Sequence, residues 1–228
     1  MNEITIHSGE TFERVFLNEP NIDLRIVQEA DSRVKIHVLN MPFDKSINRY
    51  TDMSKQSCFQ ETKNNITVSQ QGKGCQTELY GLAYLRGDDH VETETHVFHR
   101  VGGGESKQLF KFVLADRAQG AFYGELQIAK DAQQTRTEQV NRNLLLSREA
   151  QMRTRPQLEI YADDVQASHG ATTGQLDESA LFYMQQRGIN REVAYRMLVA
   201  AFLKDVLEKV PDDEQREHLM DTIDRVVE

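Results

Sequence analysis

From Ile4 to about Gln175, apolar and polar positions alternate in short segments set apart by Gly, Asn, Asp and Ser. Residues 4–6, 12–16, 22–27 and 34–39 follow this pattern, and so do residues 110–114, 121–128, 143–146 and 158–161. Successive side chains on a strand point to opposite faces, so each segment predicts a half-buried β-strand. Many short strands at near-regular spacing leave three all-β architectures open: a sandwich, a barrel or a β-solenoid. Asn-Gly and Asp-Gly hairpin turns are scarce, which favours the solenoid over a meander.

After Gln175 the period changes to that of a helix. Asp177 is placed to cap a first helix with Ala180, Leu181 and Met184 on one face, and Gly188 sits where a left-handed residue would end it. Asn190 can cap a second, lined by Ala194, Leu198, Ala201, Phe202 and Val206. Pro211 stops it, and Asp212 or Asp213 opens a third with Leu219, Ile223 and Val226 or Val227. The expected organisation is a β core over 1–175 and a helical region over 176–228. Three apolar stripes need a surface to cover: the end of the β core, or a partner.

The chain has 228 residues with 39% hydrophobic content, no Trp, and a mean hydropathy of -0.60. That describes a soluble protein with a large polar surface, as an elongated solenoid would have. A net charge of -9 argues against nucleic acid and anionic membranes as partners, because both need clustered Lys and Arg. No apolar stretch approaches the roughly 20 residues of a membrane span. The opening MNEITIHSGETF lacks a signal peptide's layout. Cys58 and Cys75 make no disulfide framework. The expected location is cytoplasmic.

Several chemistries are disfavoured. There is no P-loop, since Gly72-Lys73-Gly74 lacks the upstream glycine and the hydroxyl, and no G-x-S-x-G or H-E-x-x-H occurs. Two cysteines cannot form an autonomous four-thiolate cluster site. On a strand, His90, Glu92, Glu94 and His96 would share one face, as a divalent-metal row or as a solvated face with Val91, Thr93, Thr95 and Val97 behind it. A β-helical lyase or hydrolase would need paired carboxylates, yet Asp163 and Asp164, adjacent on a strand, would face opposite ways. His169 precedes a Gly-Ala-Thr turn and reads either as a histidine packed where strands meet helix or as an imidazole ligand.

Residues 155–189, RPQLEIYADDVQASHGATTGQLDESALFYMQQRGI, resemble the end of the core and the first C-terminal helices of the SufB/SufD family of iron–sulfur cluster assembly proteins, and of its SufD branch in particular. The likeness is strong over 109–207, through NRNLLLS, RPQLEIYADDV, SHGAT and LFYMQQRGI. It implies a right-handed parallel β-helix followed by a small α-helical region. It also implies a non-enzymatic subunit that pairs with a SufB-like scaffold and a SufC-like ATPase. His169 would lie at the SufB contact, sharing a transient iron–sulfur cluster with a SufB cysteine. The ATPase would dock on about 177–209, where Gln185, Gln186, Arg187 and Arg191 are expected to be exposed. A structural or regulatory homodimer without assembly chemistry is the alternative. The chain departs from the family pattern at Ala167, where many SufD proteins carry Cys, and at Gly102-Gly103-Gly104-Glu105, where Pro and Cys are usual. Typical SufD proteins are close to twice this length.

Overall fold

The computed structural model describes residues 2–41 and 61–226. Among the described residues, twelve strands alternate between two sheets of six. One holds β1 (Asn2–Ile6), β3 (Asp23–Gln28), β5 (Thr62–Gln70), β7 (His90–His99), β9 (Gln119–Ile128) and β11 (Gln151–Ile160), in that order. The other runs β12 (Val165–Gly174), β10 (Thr135–Leu145), β8 (Glu105–Leu114), β6 (Gln76–Leu85), β4 (Arg33–Asn40) and β2 (Thr11–Leu17). Every pairing is parallel, and each strand bonds only to strands two along the chain. A sandwich or meander of hairpins would need antiparallel pairs. The fold is therefore the β-solenoid.

Alternation dictates what fills the coil. Ile26, Ile36, Ile66, Leu79, Phe110, Phe112 and Phe122 are fully or almost fully buried between the sheets. Gly81 is required here, because a Cβ would lie 2.0 Å from Cδ1 of Phe110. Phe110 then meets Phe122 of the opposite sheet with ring centroids 4.8 Å apart. Polar side chains fill the corner where odd-numbered strands pass into even ones. Thr77 donates to Gln28 at 2.5 Å and accepts from Gln70 at 2.8 Å. His99 Nε2 lies 2.9 Å from the Ser106 hydroxyl, which lies 2.7 Å from that of Thr137.

Three helices follow: α1 (Glu178–Gln186), α2 (Arg191–Leu207) and α3 (Asp213–Val226). Asp177 and Asn190 cap the first two through side-chain bonds of 2.8 Å each, Gly188 has φ +84°, and Asp212 accepts from the Gln215 amide. The helices lie against the outer flank of the second sheet rather than the end of the core. There β4, β6 and β8 change from alternating to continuous burial, and Leu39, Tyr80, Leu82, Tyr84 and Val113 meet Val199, Leu203, Val206, Leu219 and Ile223. The buried face of α2 is consequently Ala194, Val199, Leu203, Val206 and Leu207. Ala201, expected inside, is exposed, because α2 lies between sheet and α3 and turns a different arc inward. Lys111, buried on β8, fastens the contact. Its ammonium reaches Asp205 at 2.6 Å and the Phe202 carbonyl at 2.5 Å, over the Phe202 ring.

Two buried imidazoles give the fold a pH dependence. Burial lowers His99 to about 4, and burial followed by the nearby Lys35 charge lowers His37 to about 4. Both are neutral when folded and titrate near 6.5 when unfolded, so below that value the unfolded chain binds more protons. Stability is expected to be intact above pH 6.5 and to fall by a few kcal/mol as pH drops toward 4. Urea midpoints across that range measure it, and His99→Gln should shallow the slope. An unchanged slope would refute the assignment.

Candidate functional site

The exposed end of the solenoid is built from β11 and β12, the last strand of each sheet. Each bonds on one side only. Pro156, which lacks an N–H, sits on such an edge, as edge strands tolerate. Register fixes which side chains of β12 point into the coil. Val165, Ala167, His169, Ala171 and Thr173 pair with Thr135, Thr137, Gln139, Asn141 and Asn143, all buried and inward. His169 thus faces the interior axis, yet it is exposed because no further rung covers it. Its inward neighbours Ala167 and Ala171 carry only methyl groups and leave the imidazole standing clear.

The expected turn after His169 is absent. Gly170, Ala171 and Thr172 continue β12, bonded to Val140, Asn141 and Arg142 of β10. Pairing to a preformed neighbour outweighs local turn propensity. Asp163 and Asp164 lie in the bend before β12 rather than on a strand, and the Asp164 carbonyl accepts from the Gln134 amide at 2.6 Å.

The ladder through His169 changes character along the solenoid. Ile36, Leu79, Gln108, Gln139 and His169 are successive register partners on β4, β6, β8, β10 and β12. The column is apolar at depth and polar toward the open end. Chemically, His169 offers one neutral nitrogen donor of the kind iron accepts. One imidazole leaves most of a coordination shell to be supplied from elsewhere. It fits a cargo metal or cluster only as one ligand of a shared set.

The helical surface is a second candidate. Gln185, Gln186, Arg187 and Arg191 are all exposed, as expected. Arg187 donates to the Tyr183 hydroxyl at 3.0 Å, and Arg191 forms a two-pronged contact with Glu178 at 2.9 and 3.1 Å. Polar-residue reasoning missed the apolar side chains among them: Phe182 is 62% exposed, Tyr183 60%, Met197 49% and Val193 40%. The signal was present, since Leu181-Phe182-Tyr183-Met184 is apolar around the whole helix and only one face can meet the sheet. Similarly, the run Leu79 to Leu85 is apolar at every position, which marks β6 as covered on both faces.

The acidic histidine row does lie on one outward face of β7, with Val91, Thr93, Thr95 and Val97 buried behind it. Glu92, Glu94 and His96 are engaged with neighbours, whereas the buried His90 Nε2 has no hydrogen-bond partner among the described residues. His96 meets Glu125 at 2.8 Å, and Lys63 bridges Glu92 and Glu94 at 2.7 and 3.1 Å. Among the described residues, no three His, Cys, Asp or Glu side chains converge as a metal-holding group. Cys75 is buried against backbone carbonyls of Glu29 and Gly72, and burial pushes its thiol pKa up. Cys58 falls outside the described residues. No helix among the described residues is long and apolar enough to cross a membrane.

Residues 49–202 match the family model "SUF system FeS cluster assembly, SufBD core domain". This chain belongs to the SufBD core family. Escherichia coli iron–sulfur cluster assembly protein SufD is 34% identical over 158 residues, covering 69% of this chain and 37% of the relative. A Synechocystis iron–sulfur cluster assembly SufBD family protein is 35% identical over 150 residues, covering 66% of this chain and 33% of the relative. The chloroplastic protein ABCI7 of Arabidopsis thaliana is 36% identical over 156 residues, 68% of this chain and 33% of the relative. The chain spans about a third of the length of these relatives. The family match covers β5 to most of α2, and so includes the His169 ladder from Leu79 onward and the apolar helix surface.

Proposed function

We propose that this chain is a SufD-like, non-enzymatic subunit of an iron–sulfur cluster assembly complex. It pairs through β11 and β12 with a SufB-like scaffold, and a SufC-like ATPase docks on α1 and α2. One observation carries the reading: His169 faces the solenoid axis on a strand that no other described residue covers, so another chain adding to that end would enclose it. An unpaired strand edge is a ready template for such addition. His169 contributes one ligand, and the scaffold contributes the rest. The exposed Phe182, Tyr183 and Met197 supply the apolar anchors an ATPase subunit would bury.

The test is reconstitution with SufB-like and SufC-like proteins, reading transfer of clusters to an apo-ferredoxin and subunit association separately. His169→Ala is expected to lower assembly by at least about tenfold, the scale on which metal sites respond to losing one supporting group. Association should be unchanged, because β-edge pairing uses backbone groups. Normal assembly by His169→Ala, or a chain that only self-associates through this end, would overturn the proposal.

A further inference from the structure

Gln139 is the one residue of the His169 ladder whose side chain is sealed in the coil with nothing to hold it. It is 0% exposed, and among the described residues neither its Oε1 nor its Nε2 has a hydrogen-bond partner. Burying an amide unpaired costs about 1–3 kcal/mol, so a fold that retains one calls for a reason.

The rung beneath is anchored differently. Gln108 also reaches across the core, and there Thr95 of the opposite sheet donates to its Oε1 at 2.7 Å. One rung on, the register partner of Thr95 is Gly124. Gln139 crosses to that glycine, and a Cβ there would lie 2.3 Å from its Nε2. The anchor is thus replaced by a residue that offers space but no hydroxyl. Its own ladder offers two neighbours: Gln108 beneath, whose Nε2 is also buried and unpartnered, and His169 on the next rung. Parallel neighbours are about 4.8 Å apart, and the terminal torsion of glutamine is broad, so rotation of either side chain brings the amide to the ring.

We propose that Gln139 is a positioning residue for His169. Its carboxamide oxygen accepts a hydrogen bond from the inward ring N–H, which fixes the proton on that nitrogen. The outward nitrogen keeps its lone pair and is aimed at the shared site. Ligating imidazoles are commonly oriented by such a bond on their second nitrogen. His169, exposed and flanked by alanines, has no other inward partner on its own strand. The inference builds on the reading of His169 as the ligand at the chain junction.

The experiment uses this chain labelled with 15N-histidine and reads the His169 tautomer ratio from ring nitrogen shifts above its titration, with His169→Gln assigning the signal. Gln139→Leu, which keeps bulk and removes the amide, is expected to shift the ratio by about fivefold, the size of one ordinary hydrogen bond. Gln139→Glu keeps an acceptor and should preserve the parent ratio. Gln139→Met, which also removes the amide, should match Gln139→Leu and serves if that variant does not fold. One ratio in parent, Gln139→Leu and Gln139→Met alike overturns the proposal. The readout needs neither cluster nor partner, so it is separable from the assembly test: a positioned imidazole with normal assembly by His169→Ala would sink the functional reading alone.

Discussion

Replacing Phe110 by alanine is expected to destabilise the solenoid by about 3–5 kcal/mol, the range for deleting a buried phenyl ring. The ring is 1% exposed, packs on Phe122, and fills the slot that Gly81 leaves open on the adjacent strand. The relation runs both ways. Gly81→Ala should also destabilise, because its methyl would stand 2.0 Å from the ring and the core cannot yield that far without strain. In the double variant the new methyl enters space the ring has vacated, so the two losses should not add. Urea midpoints of parent, both single variants and the double close the cycle. Additive losses would show that the two residues do not share the slot.

The second large effect concerns the helices. Phe182→Asp together with Met197→Asp is expected to weaken binding of a SufC-like ATPase by at least about 30-fold, as loss of interface anchors worth 2 kcal/mol or more does. Both side chains are about half or more exposed and touch solvent rather than the sheet, so folding should survive. Arg191→Ala should change affinity little, because its guanidinium is exposed and already paired with Glu178. Calorimetric titration with the ATPase decides it. Unchanged affinity in the double variant, or no binding by the parent chain, would overturn the proposed docking on α1 and α2.

Much of this architecture was legible from periodicity. The strand segments from Ile4 onward, the caps at Asp177 and Asn190 and the stop at Gly188 all follow from local rules that the structure obeys. What local rules could not supply was register. That Gln139 lies beside His169 and Gly124 opposite Gln139 depends on pairing between strands far apart in sequence. The extended course through Gly170 has the same origin, as does the arc of α2 that turns inward. His169 was found through resemblance in its neighbourhood, and composition alone would have left it an ordinary histidine. Phe182 and Met197 are legible only as part of apolar helix segments, because which apolar face stays uncovered depends on how the helices seat on the sheet.

The pairing pattern has a consequence for how such proteins can be remodelled. Bonded positions are roughly 30 residues apart from β6 to β12 of the second sheet, as in Gln76 beside Glu105, Glu105 beside Arg136 and Thr135 beside Val165. Each coil answers only to the coils above and below it, so nothing in the ladder prescribes a total number of coils. Evolution or an engineer can therefore shorten or lengthen the stack by whole coils at its N-terminal side. The tip, set by β10 to β12, would travel unchanged, provided the coils of β4, β6 and β8 that seat the helices are kept.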